Sequence, residues 1–189
     1  MMGKLGEFFG GLSGKTKDDF ESGNSQYITY MNVYKNIIAQ IDNCEKVNVS
    51  TDENQHPIIA GDIMFTQSSE TIEEVGLASL WMHEETPYLN SFCFAFRLYN
   101  QHDVIPLWFV YFMRSARVRK KIMREGQGIT RVNLSAERMK QIILRIPNTK
   151  EQQKAASILS ICDFKIQYAV KQLECMRKLK KGLLQQLFV

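Results

Sequence analysis

From Thr149 to Phe188 the chain keeps one stripe. Ala155, Leu159, Cys162, Ile166, Ala169, Leu173, Met176, Lys180, Leu183 and Leu187 follow one another at alternating steps of four and three, and all but Lys180 are apolar. That spacing averages 3.5 residues and predicts a single helix carrying a coiled-coil seam. At ~1.5 Å per residue the helix would be on the order of 55 Å long. The preceding residues are too few to cover such a length, so part of the stripe is expected to pair outside the chain; the alternative is a helix folded back on its own domain. Thr149-Lys-Glu-Gln152 has the form of a capping box at the helix start.

The rest of the chain reads differently. "QYITYMNVY" (26–34) is aromatic and β-branched and reads as an irregular strand, with Tyr27, Tyr30 and Tyr34 as core and rim. "HPIIAGDIMFTQ" (56–67) reads as two short strands around Ala60-Gly61-Asp62, and "SFCFAFRLY" (91–99) as a strand buried on both faces. Residues 107–125 read as one helix, closed by Gly126 in the left-handed position. "QIILRIP" (141–147) is a strand candidate. The expected class is therefore α+β: a globular domain of short mixed strands and helices over 1–148, followed by one long coiled-coil helix over 149–189.

Charge is segregated. Residues 61–110 carry one cation and seven anions, whereas 111–147 carry ten cations and two anions. Six of the cations (Arg114, Arg117, Arg119, Lys120, Lys121 and Arg124) fall within eleven residues, answered nearby only by Glu125. A solvated helix face would account for such a run, but its lopsidedness points to a polyanion or an acidic protein partner. After it, Gly126-Gln127-Gly128 permits close backbone approach to a phosphate. Gln127 suits an adenine edge, and Arg131 suits guanine or phosphate. "GGLSGKTKDDF" (10–20) carries Lys15 and Lys17 but leaves too few residues between its glycines for a nucleotide-binding phosphate loop. It remains a candidate for contact with a nucleic-acid backbone or groove. Gln67, Ser68 and Ser69 could read base edges or simply turn the chain.

Other functions find no support. No run reaches the roughly 18 apolar residues that span a bilayer, and the start of the chain lacks the apolar centre of a secretion signal. A cytoplasmic location is expected, with no membrane partner. Cys44, Cys93, Cys162 and Cys175 are scattered and the three histidines lie far apart, so reduced thiols and no metal site are expected. No nucleophile elbow, zinc-protease motif or cofactor-binding glycine turn occurs. The chain is expected to bind and not to react.

Six segments in order resemble the DNA-specificity subunit of type I restriction–modification systems: 4–36 ("KLGEFFGGLSGKTKDDFESGNSQYITYMNVYKN"), 61–79 ("GDIMFTQSSETIEEVGLAS"), 88–98 ("YLNSFCFAFRL"), 126–135 ("GQGITRVNLS"), 142–166 ("IILRIPNTKEQQKAASILSICDFKI") and 179–188 ("LKKGLLQQLF"). The chain departs from the family at Pro147-Asn148-Thr149, where further proline is common. The resemblance covers one half of the usual two-domain subunit. It implies a target-recognition domain that reads half of a split double-stranded DNA site, and a helix that spaces the halves and docks methyltransferase subunits, with the restriction subunit as a further partner. Two copies would pair through Leu159, Cys162, Ile166, Ala169, Leu173, Met176, Leu183 and Leu187; the alternatives are a fragment or a different half-subunit as partner. S-adenosylmethionine, ATP and Mg²⁺ would belong to partner subunits, with no cofactor in this chain. Arg117, Arg119, Lys120 and Arg124 are expected on phosphates. Lys15, Thr16, Lys17, Gln67, Ser68, Ser69, Gln127, Gly128, Thr130, Arg131 and Asn133 are expected in the DNA-contacting loops. The competing function is a non-catalytic module that docks an acidic protein through the basic helix and the long helix.

Overall fold

The computed structural model describes residues 1–20 and 22–188; Val189, the last residue of the expected helical segment, lies outside them. Nine strands are described: β1 (Gly6–Gly10), β2 (Ser25–Ile28), β3 (Cys44–Val47), β4 (Ile63–Thr66), β5 (Ser68–Ser69), β6 (Ala78–Leu80), β7 (Tyr88–Leu89), β8 (Cys93–Leu98) and β9 (Val132–Asn133). Five α-helices accompany them: α1 (Tyr30–Lys35), α2 (Pro106–Arg114), α3 (Ala116–Glu125), α4 (Ala136–Gln141) and α5 (Thr149–Leu187). The fold is α+β. An antiparallel sheet in the order β1-β8-β4-β6 forms its centre, beside a β3-β2-β7 sheet and a separate β5–β9 ribbon.

The apolar run of β8, broken only by Arg97, follows from its central place. Side chains of a strand alternate between the faces of its sheet. Phe94, Phe96 and Leu98 enter one core with Ile63, Phe65, Phe109 and Met113, while Cys93 and Ala95 enter a second core with Met64, Ile28, Val33, Trp81 and Leu89. Both faces are covered, so no polar alternation is required. Each large side chain so buried contributes roughly 1.5–3 kcal/mol.

Several expectations are corrected. Residues 26–34 leave the strand at Thr29, whose hydroxyl accepts the Asn32 N–H and caps α1, so Tyr30 and Tyr34 are helical. The Asn32 amide then fixes this helix by exchanging hydrogen bonds with both backbone groups of Gln40. Only the second strand around Ala60-Gly61-Asp62 forms. The Ile58 N–H goes instead to Pro87 O, and that of Ile59 to the Asp62 carboxylate. Residues 107–125 form two helices, broken at Ser115, which has extended backbone and donates its hydroxyl to Phe112 O. Gly126 is not left-handed (φ −66°); an added Cβ there would lie 2.6 Å from Ile72 Cδ1, so close packing selects the glycine. The positive φ belongs to Gly128, at 125°. "QIILRIP" is no strand: its start ends α4, and the Ile142 and Ile143 carbonyls are taken by Met2 N–H and Lys121 Nζ.

The long helix begins one residue earlier in its capping than expected. Asn148, not Thr149, accepts the Glu151 N–H, at 3.0 Å. Gln152 does not reach back to a free N–H. It is fully buried, accepts the Ile105 N–H at 2.9 Å and donates to Asp103 O and Pro147 O. Ala156 is also buried, and Tyr111 on α2 donates to Asp163 at 2.7 Å. The docked face is thus Gln152, Ala156, Ser160 and Asp163, small and polar residues beside the apolar stripe, joined by Ala155, the first stripe residue, which packs against the core. Leu159, Cys162, Ile166, Ala169, Leu173, Met176, Leu183 and Leu187 are all exposed. No described helix is long and apolar enough to cross a membrane.

Candidate nucleic-acid interface

Strand pairing gathers the polar loops at one end of the central sheet. Gly10, at the end of β1, lies opposite Phe94, and Thr66, at the end of β4, lies opposite Cys93. The segments after β1 and β4 and the turn before β8 therefore leave the same edge. Gln67 N–H donates to Phe92 O at 2.8 Å, and Leu134 N–H donates to Gln67 O at 2.8 Å. Ser68 and Ser69 then pair with Asn133 and Val132. Gln127 and Asn133 exchange both backbone hydrogen bonds, at 2.9 and 2.7 Å. So Gln67, Ser68, Ser69, Gln127, Gly128, Thr130, Arg131 and Asn133, far apart in sequence, form one surface.

A cleft of about 450 Å³ opens on this surface, lined by Tyr30, Met31, Tyr34, Ser68, Ser69, Glu70, Glu74, Phe92 and Arg131. Tyr30 and Tyr34, one helical turn apart, stack with centroids 6.2 Å apart. Their hydroxyls are occupied. Tyr30 donates to Ser68 O at 2.9 Å, and Tyr34 donates to Glu74 at 2.6 Å. Ser69 donates to the other Glu74 oxygen at 2.9 Å. These donors hold the Glu74 carboxyl below its usual range, that of Tyr34 foremost. Ser68 and Ser69 are buried, and they brace the ribbon rather than present their hydroxyls outward.

The loop after β1 is also internally fixed. Lys15 Nζ meets both Glu53 oxygens at 2.6 Å, with its side chain only 6% exposed. That bond, with the Ser50 N–H and the Gln55 amide, pulls the Glu53 carboxyl down to about 2. The Thr16 hydroxyl donates to Asp19 at 2.9 Å. Lys17 is exposed. Lys15 and Thr16 thus shape the loop, leaving Lys17 as its outward cation.

The cationic run divides the same way. Arg114 turns inward, donating to Ala78 O at 2.6 Å and Asn36 O at 3.1 Å; burial brings its guanidinium down to about 10. Arg119, expected on phosphate, donates instead to Gly76 O, Val75 O and Glu73 O at 2.6–2.9 Å. It ties α3 to the turn that follows β5, and burial lowers its pKa. Arg117, Lys120 and Arg124 are exposed and have no ion-pair partner among the described residues. Sequence reasoning missed Glu70 and Phe92 as members of this surface. No local signal marks them, because pairing between distant segments brings them there. Among the described residues no group of three His, Cys, Asp or Glu side chains could hold a metal ion.

Residues 1–174 match a family model described as "Type I restriction modification DNA specificity domain". A protein of Methanocaldococcus jannaschii named as a specificity subunit of the type I restriction enzyme MjaX is 24% identical over 136 residues, covering 71% of this chain and 32% of that protein. The fold is similar to the type I restriction–modification S subunit from M. genitalium (TM-score 0.64, 16% identity), with 96% of this chain and 42% of that one covered. It is also similar to the HsdS subunit from Thermoanaerobacter tengcongensis (TM-score 0.59, 11% identity), with 88% and 37% covered. The chain spans about a third of the length of the named relative and about two fifths of these solved chains.

Proposed function

The chain belongs to the family of type I restriction–modification DNA specificity domains, and from that premise we propose that it reads one half of a bipartite double-stranded DNA site and brings methyltransferase subunits to it. The observation that carries this reading is the single edge on which the loops after β1 and β4, the turn before β8 and the β5–β9 ribbon meet. Lys17 and Arg131 are exposed on those segments, and Arg124 stands on the last turn of α3, just before residues 127–133. Cations around such an edge would neutralise phosphates and set register, while loop side chains would read bases. Catalysis would lie in the partners. S-adenosylmethionine, ATP and Mg²⁺ would be held there, and the restriction subunit would join the same cytoplasmic assembly.

The exposed stripe of α5 supports a second copy as its partner. Two domains joined through antiparallel helices would face two half-sites, and helix length would set the gap between them. The test is co-expression with a methyltransferase subunit, followed by mapping of methylated adenines. An interrupted palindrome is expected. Methylation without any common sequence would overturn the DNA reading, and an asymmetric pair of half-sites would replace the second copy with a different half-subunit.

A further inference from the structure

The β5–β9 ribbon is antiparallel, with Ser68 opposite Asn133 and Ser69 opposite Val132. Continuing that register by one step sets Glu70 opposite Arg131. Directly opposed residues have Cβ atoms about 4.5–5.5 Å apart. Both side chains are exposed and line the same cleft. They nevertheless form no ion pair among the described residues. The Arg131 guanidinium lies instead over the Phe92 ring, 5.6 Å from its centroid. The other carboxylate of the cleft is spoken for, since Glu74 takes hydrogen bonds from Tyr34 and Ser69. Glu70 accepts from no side chain or backbone donor among the described residues. An acceptor-only group and a planar five-donor fork thus stand side by side, each with its polar atoms open.

We infer that Arg131 and Glu70 together read one G·C base pair through the major groove. The inference rests on the DNA reading above and names the base pair that this part of the edge selects. The major groove admits a two-stranded ribbon, and there a G·C pair shows guanine N7 and O6 as adjacent acceptors, followed by the cytosine N4 amino donor. Arg131 fits the two acceptors and Glu70 the donor. An A·T pair offers no two adjacent acceptors, so the fork could not be satisfied at both ends. Phe92 holds the guanidinium on the cleft wall, limiting its freedom before DNA arrives. Because Arg131 and Glu70 form no ion pair with each other, no bridge between them must be broken before the base pair is engaged. The neighbouring ribbon residues Ser68, Ser69 and Val132 are buried and anchor the pair from beneath.

The experiment is selection of bound duplexes from a randomised library by the full chain with its methyltransferase subunit. Wild type is compared with Arg131→Ala, Arg131→Lys and Glu70→Gln. Wild type is expected to enrich a sequence with an invariant G·C pair in each half-site. Arg131→Ala should relax preference at that pair alone, by roughly 5- to 150-fold, the span of a bidentate contact. Arg131→Lys keeps the charge but loses the fork, and should relax the same position. Glu70→Gln, which turns an amide toward the cytosine amino group in place of a carboxylate, should relax preference at the same pair, by less than Arg131→Ala. An enriched sequence that Arg131→Ala leaves unchanged, or relaxation at an A·T pair, overturns the inference while the DNA reading stands. Absence of any enriched sequence with wild type overturns the DNA reading itself.

Discussion

The globular body and the long helix treat their apolar residues in opposite ways. In the body, β8 is apolar along nearly its whole length because cores close on both faces of its sheet. In α5, Phe164, Ile166, Leu173, Met176 and Leu187 are 50–71% exposed. The helix meets the body through Gln152, Ala156, Ser160 and Asp163, with Ala155 the one stripe residue packed against the core. Stable docking therefore does not require the apolar face. A short polar and small-residue face, with Gln152 bonded to three backbone groups, seats the helix and leaves the seam open for a second helix. Large exposed apolar surfaces mark interaction sites, and this one is held in place by an attachment that uses only its first residue, Ala155.

The sharpest way to break this contrast is to delete one side chain from each region. Phe96 is fully buried and packs 4.6 Å from Phe8 and 5.7 Å from Phe109, centroid to centroid. Phe96→Ala should cost about 3–5 kcal/mol in urea unfolding of the dilute chain. Leu173→Ala should change that stability by no more than about 0.5 kcal/mol. Its effect should appear only as the concentration rises, as weaker self-association in sedimentation. A comparable loss of stability from both changes at high dilution would mean that the stripe is covered within one molecule.

Much of the contrast is legible in the sequence, because periodicity is local. The alternating steps of four and three mark the extent of α5, and the apolar run from Cys93 to Phe96 marks β8. What stayed hidden depends on which distant segments meet. Arg119 reads as one more surface cation until the turn at Glu73–Gly76 is known to lie against it. Ser68 and Ser69 suit a base reader or a turn equally until β9 pairs with them. Gly126 reads as the left-handed residue that closes the helix, yet it serves packing and the positive φ falls on Gly128. The capping-box pattern points to Thr149, yet the cap falls on Asn148, in line with the stronger N-cap preference of asparagine. The loop set around the candidate interface was thus legible as segments, but the role of each side chain within it was not.

A middle-sized effect should come from the joint between the two regions. Gln152→Leu would leave the Ile105 N–H, Asp103 O and Pro147 O without their partner. A fully buried polar group left unpaired costs roughly 1–3 kcal/mol, but these three bonds are only partly buried, so water recovers much of the loss and the total should stay below that of Phe96→Ala. Hydrogen exchange at the Ile105 amide is the direct measure and should speed up strongly. Protection in the second half of α5 should change far less, since no described part of the body covers it there. Equal loss of protection along all of α5 would show that the helix folds only as part of the body.

The smallest effect tests whether the body's surface ions are as internally committed as its core. Lys171 and Lys178 on α5 are exposed, and no ion pair is found for them among the described residues, whereas Lys15 is spent on Glu53. Because the folded carboxyl of Glu53 sits at about 2, below its unfolded value of roughly 4.3, the bond contributes stability above that unfolded value. The contribution should fade as pH falls from about 5 toward 2. Exchange of the Ser50 amide, which donates to Glu53 at 3.0 Å, should quicken over that window relative to its intrinsic rate. Lys15→Met removes the largest cause of the shift and should move the Glu53 titration upward toward the ordinary carboxylate range. Glu53 titrating near 4.3 in the intact folded chain would mean that the clamp is open in solution, and that Lys15, like the lysines of α5, is available to a partner.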